Sequence, residues 1–326
     1  MRTTRRALLA AAALCLTTLA SPAAAQTWPT RPVKFIVSLG PGSGADLGAR
    51  IMADRLATRW GQPVVVENRP GGDAVIAINA FIGARDDHVL LYTPTSAFTA
   101  HPYQHDKLPY DPSELAPIAR VSNTLVGFVV APALNIASVG ELIALVRARP
   151  NELNYATGTG MTDLIYEGYF KGAGLAITRV AYRDVVAPMA DLGENRIQAY
   201  AGGLGILQPH VDAGRAKLVA VTNSQRAPMR PDVPTVAEAG FPALTFDGLV
   251  GVFGPRDMAS AARERIAADI RAELADPALK ARLAATGAAV LPAERSSYAC
   301  SRSSTGPGPR KASTDISCCS SPACRR

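Results

Sequence analysis

The sequence predicts an α/β protein built as two similar lobes, and three observations support this fold class. The chain of 326 residues has the length of two domains, because single cores rarely grow beyond about 250 residues. Its 48% hydrophobic and 19% charged residues can bury large cores and exclude disorder for the bulk of the chain. A unit of strand, small-residue turn and helix occurs twice, with turns at residues 40–44 and 157–160. We therefore expect a mostly parallel sheet flanked by helices in each lobe.

The first part of the chain has the alternating signals of such a sheet. Apolar runs predict strands, and apolar residues at helical spacing between glycine or proline stops predict helices. Leu47, Ile51, Leu56 and Trp60 have this spacing, and Gly61 ends the helix. Strands are predicted at 33–37, 63–67 and 89–92, with a second helix at 73–84.

A long strand-like stretch at 117–130 precedes a second series of the same elements. Ser138 and Glu141 form a capping box that starts a helix ended by Pro150, and Thr235 and Glu238 form another capping box. Further strands are predicted at 153–156, 177–182, 197–201, 218–222 and 249–253, and further helices at 162–171, 257–275 and 277–286.

The first 25 residues have the pattern of a secretory signal peptide. Arg2, Arg5 and Arg6 form a basic start, residues 7–19 are apolar, and residues 23–25 offer a small-residue cleavage site. The apolar run is shorter than the roughly 18 residues of a membrane-spanning helix. We therefore expect export of the mature protein to the periplasm.

The formal net charge of +7 comes from the two ends of the chain. Residues 1–25 contribute +3 and residues 300–326 contribute +4, so residues 26–299 carry no net charge. A balanced body does not predict the basic groove that a polyphosphate backbone requires. We expect no nucleic-acid partner.

The last 27 residues differ from the rest of the chain. They hold Cys300, Cys318, Cys319 and Cys324 among Ser, Arg and Pro residues that have no helical or strand periodicity. These spacings, without a partnering His, do not match a zinc site, and no metal site is predicted. Residues 300–326 are interpreted as an aberrant tail that is either disordered or translated out of frame.

Each small-residue turn is a candidate anion site. A glycine-rich turn before a helix leaves N–H groups unpaired at the positive end of the helix dipole, which suits a carboxylate or a phosphate. Such turns lie at the carboxyl ends of strands, so residues 40–46 and 157–162 would face each other across one cleft. Tight turns alone would also explain the glycines. Asp46 either pairs with Arg50 on the helix or accepts a hydrogen bond from a ligand.

The first turn also matches a dinucleotide-binding fingerprint. Gly40, Gly42 and Ala45 fit G-x-G-x-x-A between a strand and a helix, and Glu67 ends the next strand. The alternative function is therefore an exported oxidoreductase with a nucleotide cofactor. Against it, Pro41 removes one N–H donor, and an exported protein meets little soluble nicotinamide cofactor.

Other catalytic and metal-binding signals are weak. Ser43 lacks the pattern of a nucleophile elbow because position 41 is proline, and no G-K-[ST] phosphate loop occurs. His101 and His105 have a metal-like spacing, but the residues around them, including Pro102, predict an irregular surface loop.

Two long strings carry a resemblance to a known family. Residues 60–72 read Trp-Gly-Gln-Pro-Val-Val-Val-Glu-Asn-Arg-Pro-Gly-Gly, and residues 231–240 read Pro-Asp-Val-Pro-Thr-Val-Ala-Glu-Ala-Gly. With the turns at 41–46 and 154–160 and Val180-Ala-Tyr182, they resemble the Bug-type solute receptors of tripartite tricarboxylate transporters over nearly all of residues 28–295. The resemblance implies a monomeric type II periplasmic binding protein, with neither catalysis nor cofactor, which binds a small organic carboxylate and serves membrane transporter subunits.

The resemblance also implies domain boundaries and site residues. Lobe 1 comprises residues 26–125 and 246–299, lobe 2 comprises residues 126–245, and two crossing segments join them. Receptors of this family hold the ligand carboxylate through N–H groups, hydroxyls and ordered water of both loops. Arg183, Asp184 and Met161 depart from the family pattern, as do the glycines at 202–203, and the identity of the acid stays open. The ligand-binding positions are Gly42, Ser43, Gly44, Asp46, Thr93, Thr95, Ser96, Thr157, Gly158, Thr159, Gly160, Thr162, Tyr182, Gly202 and Gly203.

Overall fold

A computed structural model describes residues 28–158, 160–182 and 184–290. The signal peptide predicted at residues 1–25 and the tail predicted at residues 300–326 lie outside the described residues. Within the described part of the chain, no helix combines the length and the hydrophobicity needed to cross a membrane.

Strands and helices alternate along most of the described chain. The strands are β1 (Val33–Val37), β2 (Val64–Asn68), β3 (Val89–Pro94), β4 (Leu115–Thr124), β5 (Val126–Val130), β6 (Asn154–Thr157), β7 (Thr178–Arg179), β8 (Ala199–Gly203), β9 (Lys217–Val221), β10 (Gly248–Pro255) and β11 (Ala288–Ala289). The helices are α1 (Gly44–Trp60), α2 (Val75–Ala84), α3 (Ser96–Gln104), α4 (Val139–Ala148), α5 (Met161–Gly172), α6 (Pro188–Gly193), α7 (Leu204–Asp212), α8 (Ser260–Ala275) and α9 (Pro277–Ala285).

The strands form two separate sheets, one for each lobe. The first sheet has six strands in the order β11-β4-β10-β3-β1-β2, and the second has five in the order β7-β6-β8-β5-β9. Phe35, Met52 and Leu56 are buried between α1 and the first sheet, whereas Phe128, Tyr166 and Phe170 are buried between α5 and the second. The two-lobed α/β fold is thus confirmed.

The expectation of mostly parallel sheets is wrong, because both sheets are mixed. β1 is parallel to β2 and β3, but β10 is antiparallel to β3 and β4, and β5 is antiparallel to β8 and β9. β4 continues into β5 after one residue, Leu125, so β5 enters the second sheet at the end where its parallel strands finish. β10 enters the first sheet in the same way. A strand that arrives directly from the other lobe, without a crossover helix, runs against its new neighbours.

Three local expectations also differ from the structure. The strand predicted at 177–182 shortens to β7, an exposed edge strand beside β6. Thr235 and Glu238 do exchange both hydrogen bonds of a capping box, but a turn follows instead of a helix. His101 lies on α3 rather than on a surface loop, and it is fully buried because Tyr110 Oη, at 2.7 Å, and Asp73 O, at 2.8 Å, satisfy its two ring nitrogens.

The capping box at the start of α4 is confirmed. Ser138 Oγ accepts a hydrogen bond from Glu141 N at 3.1 Å, and the Glu141 carboxylate accepts one from Ala137 N at 2.7 Å. These bonds satisfy two N–H groups at the helix start that have no acceptor inside the helix.

Ser138→Ala should therefore lower the free energy of unfolding by about 1 kcal/mol, measured by urea denaturation. Ser138→Asp keeps an acceptor at the same position and should unfold close to wild type. Equal losses in the two variants would contradict a capping role for the hydroxyl.

Candidate ligand-binding cleft

One cleft lies between the two sheets, where the carboxyl ends of the parallel strands meet, as is usual for ligand sites in α/β proteins. It has an empty volume of about 770 Å³, part of it open to solvent.

The two crossing segments form the floor of the cleft. In each segment alternate residues line the cleft, because successive side chains of a strand point to opposite faces. The register pairs Thr124 with Gly248 and Ser122 with Val250, so the two rows lie side by side. The floor residues are Ser122, Thr124 and Val126 from the first segment and Phe246, Gly248 and Val250 from the second.

The start of α1 forms the wall on the first lobe. Ser43 is the N-cap residue, and its Oγ accepts a hydrogen bond from Asp46 N at 3.2 Å. The N–H groups of Gly44 and Ala45 have no acceptor among the described residues, and both residues line the cleft. They lie at the positive end of the helix dipole, which suits an anion.

Asp46 holds the glycine turn in place. Its carboxylate accepts hydrogen bonds from Gly42 N, from Asn68 Nδ2 and from the Arg50 guanidinium, each at 2.9 Å. The side chain is only 2% exposed. Burial alone would raise the pKa of Asp46, but the bonds from Arg50, Gly42 and Asn68 outweigh it and hold the pKa below its ordinary value.

Two helix starts form the wall on the second lobe. Gly158 N donates to Ala201 O at 2.6 Å, which joins the ends of β6 and β8. α5 then begins after Gly160, and α7 begins directly after β8, and neither helix has a side-chain cap. Thr162 from the first turn of α5 and Ile206 from the first turn of α7 line the cleft. Three helices, α1, α5 and α7, therefore direct their N-terminal ends at one space.

The turn after α9 lies against both walls. A Cβ atom on Gly205 would lie 2.1 Å from Thr286 O, and one on Gly44 would lie 2.8 Å from the same oxygen. Leu125 N also donates to Gly287 O at 3.0 Å. This close approach of Thr286 to α1 and α7 requires glycine at both helix starts.

Six of the predicted site residues line this cleft, and they come from both lobes. They are Ser43, Gly44, Gly158, Thr162, Gly202 and Gly203. Thr159 and the side chain of Ser96 lie outside the described residues.

The other predicted positions are not among the lining residues, and several bind other parts of the protein. Thr93 Oγ1 lies 2.6 Å from Ser38 Oγ, and Thr157 Oγ1 donates to Asp163 at 2.7 Å. Thr95 precedes α3 and bonds through its N–H to Leu249 O, while Gly42 and Gly160 have positive φ angles.

Tyr182 also bonds within its own lobe, donating to Asp191 at 2.6 Å. Burial, together with the Asp191 carboxylate, raises the pKa of Tyr182 to about 12, so the hydroxyl stays protonated near neutral pH.

The residues of the nucleotide-binding fingerprint form hydrogen bonds and ion pairs within the protein. Ser43 N donates to Gly40 O, and Gly42 N donates to Asp46, so two N–H groups of the turn are already paired. Glu67, the acid that would bind a ribose, lies 2.6 Å from Lys34 and 2.5 Å from Arg69. Hydrogen bonds from Lys34 and Arg69 lower the pKa of Glu67.

One group of potential metal ligands, Asp86, Asp87 and His88, occurs in the described part of the chain. His88 Nε2 accepts a hydrogen bond from Thr30 N at 3.1 Å, so the ring proton is on Nδ1, which faces Asp87 at 2.6 Å. Asp86 is paired with Arg31 at 2.6 Å. The atoms that could ligate a metal are therefore bound to other groups of the protein, and none of the three residues lines the cleft.

Comparison with known proteins assigns the chain to a family. Residues 48–300 match the model of the tripartite tricarboxylate transporter family receptor. A UPF0065 protein of Bordetella bronchiseptica is 33% identical over 277 residues, which cover 83% of this chain and 82% of that protein. The chain belongs to the tripartite tricarboxylate transporter receptor family. Protein BugT of Bordetella pertussis is 32% identical over 243 residues, covering 73% of this chain and 74% of BugT.

Solved structures share the fold. The R. palustris protein Rpa4515 with adipate is 28% identical, with a TM-score of 0.75 over 80% of this chain and 89% of that one. The periplasmic binding protein BugD is 23% identical, with a TM-score of 0.73 over 81% and 89% of the two chains. The family and its relatives are solute receptors rather than enzymes.

Several cleft residues of this receptor were not predicted from the sequence. They are the floor residues, Thr286 and Gly287 after α9, and Gly205 and Ile206 on α7. The alternation of Ser122, Thr124 and Val126 is a usable signal, because it lies in a strand that changes sheets. For Thr286 no local signal exists, since its position depends on how α9 packs against the rest of the protein.

Proposed function

We propose that the chain is a periplasmic receptor that captures a small carboxylate in the interlobe cleft for a tripartite transporter in the membrane. The observation that carries the proposal is the convergence of three helix starts on one cavity, with N–H groups at Gly44 and Ala45 that have no acceptor in the described part of the chain. Fixed dipoles of this kind can hold an anion without a cationic side chain. The relative with adipate supports a carboxylate as the class of ligand.

We place the domain boundaries at 125/126 and 245/246, where the chain passes between the sheets, and propose that the lobes close by rotation there. Asn223 supports this hinge position. Its Nδ2 donates to Thr124 O at 3.0 Å and to Asp247 at 3.1 Å, and its Oδ1 accepts from Val126 N at 2.9 Å. One side chain thus ties both crossing segments together.

A thermal-shift screen of mono-, di- and tricarboxylates tests the proposal. Binding to the folded state alone raises the melting temperature increasingly with ligand concentration. We expect this result for at least one carboxylate and no shift with NAD. Stabilisation by NAD and by no carboxylate would instead favour the oxidoreductase that the glycine fingerprint suggests.

Thr162→Val should weaken binding of the identified acid by about 10-fold or more, measured by isothermal titration calorimetry. The change removes a hydroxyl but keeps the shape, and a hydrogen bond to a charged group contributes roughly 1.5–3 kcal/mol. Thr178→Val, the same change on the exposed strand β7, should bind like wild type. Unchanged affinity in Thr162→Val would remove α5 from the site.

A further inference from the structure

We infer, on the basis of the proposed receptor function, that this cleft selects a monocarboxylate with an apolar body and rejects acids that carry a second negative charge.

No charged side chain is present among the described residues that line the cleft. Three carboxylates on neighbouring elements are engaged with other side chains. Asp46 binds Arg50, Asp163 lies 2.5 Å from Arg179, and Asp247 accepts from Asn223. Within the described lining, a second carboxylate would therefore meet no cationic side chain.

The N-terminal ends of α1 and α7 lie close together, although the first N–H group of α7, that of Leu204, donates to Leu125 O at 2.7 Å. The first residues of both helices lie beside the same carbonyl, that of Thr286. Thr286 O occupies the position between the two helix starts, so a carboxylate can meet their positive ends only from the cleft side of this carbonyl. A second carboxylate on the same small molecule would extend away from this region.

The remaining surface of the cleft is largely apolar. Val126, Phe246 and Val250 line the floor, and Val185 and Ile206 line the second lobe. These side chains favour a ligand body of hydrocarbon, because its burial removes apolar surface from water. A carboxylate placed against them would lose its hydration without gaining donors.

Two residues that carry a hydroxyl group, Ser122 and Thr162, also line the cleft. Ser122 is 3% exposed and Thr162 is 7% exposed, and neither side chain has a hydrogen-bond partner in the described part of the chain. Both hydroxyls are therefore available to a bound molecule. Thr162, at a helix start, can donate to the carboxylate. Ser122, on the floor beside Val250, can bond a single neutral hydroxyl or oxo group of the ligand body.

Matched pairs of acids test the inference with the intact protein. Hexanoate and adipate share a six-carbon chain, and benzoate and terephthalate share a ring, so each pair differs by one distal carboxylate. We expect calorimetry at pH 7.5 to give dissociation constants about 10-fold or more lower for the monocarboxylate of at least one pair. An equal or higher affinity for the dicarboxylates would overturn the inference but would still agree with the proposed function of a carboxylate receptor. No binding of any carboxylate to the folded protein would reject both proposals.

A variant with altered ligand preference provides a second test of the inference. Phe246→Arg places a cation on the floor and should shift the hexanoate-to-adipate preference by about 10-fold or more toward adipate. Phe246→Leu keeps the floor apolar and should preserve the wild-type preference. An unchanged preference in a folded Phe246→Arg variant would contradict contact between the ligand body and this part of the floor. If Phe246→Arg does not fold, the comparison of the matched acids on the wild-type protein still tests the inference.

Discussion

Gly205→Ala is expected to weaken ligand binding by about 10- to 100-fold while both sheets stay folded. The new methyl group would lie 2.1 Å from Thr286 O and 2.8 Å from Thr286 C. Both atoms belong to the backbone, so no side-chain rotation can relieve the contact. Overpacking of this kind costs about 1–3 kcal/mol, and about 1.4 kcal/mol corresponds to a tenfold change in affinity.

The cleft can relieve this clash by separating α7 from the turn after α9. This movement opens the two walls, so the closed form that holds the ligand becomes less populated. Calorimetry should show the loss of affinity, and small-angle scattering with saturating ligand should show a larger radius of gyration than that of the wild type.

Gly168→Ala is the matched control for this change. Gly168 lies within α5, and a Cβ atom there would meet nothing within 4 Å. Its affinity and radius of gyration should equal those of the wild type. Wild-type affinity in Gly205→Ala would show that the ligand-bound protein does not bring Thr286 against α7.

Asp46→Asn should lower the free energy of unfolding by about 2–3 kcal/mol at pH 7, because a buried, charged acceptor of three hydrogen bonds is lost. The amide that replaces it can accept at one atom only, so at least one of Gly42 N, Asn68 Nδ2 and the Arg50 guanidinium loses its partner. We expect the substitution to destabilise the glycine turn at residues 40–44. Of the two roles predicted for this residue, the pair with Arg50 is present in the structure.

The pH dependence follows from the lowered pKa of Asp46. A carboxyl group whose pKa is lower in the folded state stabilises the protein fully above its unfolded-state pKa of about 3.9. This contribution is lost as the pH falls through the folded-state pKa. The difference in stability between wild type and Asp46→Asn should therefore be constant from pH 7 to about 5 and shrink below it.

Urea denaturation at several pH values measures this difference, with Asp54→Asn as the control. Asp54 is exposed on the same helix, and its substitution should change the free energy of unfolding by less than about 0.5 kcal/mol. A difference between wild type and Asp46→Asn that stays constant down to pH 3 would contradict the role of the Asp46 charge.

Features that depend on near neighbours in the chain were predictable. The helix through Leu47 and Trp60, the cap at Ser138 and the two small-residue turns each follow from residues a few positions apart. The two strings at 60–72 and 231–240 indicated the family, which the family model confirms. The two turns were placed on opposite sides of one cleft because both follow strands and precede helices.

Features that depend on distant parts of the chain were not predictable. The sheets are mixed because β5 and β10 arrive from the other lobe, and no residue within either strand encodes its direction relative to a neighbour. His101 is buried because Tyr110 and Asp73 satisfy it, which the local sequence around Pro102 does not reveal.

The sequence by itself determined most helices and strands, the two small-residue turns and the family, because helix periodicity, capping and turn chemistry are local. Only the tertiary structure decided that Asp46 supports the turn from behind, that Ser122 and Phe246 form the floor, and that Thr286 contacts both helix starts. These placements depend on contacts between separate elements, and Thr286 lies 81 positions from Gly205 in the chain, so they follow from how the elements pack rather than from a local pattern.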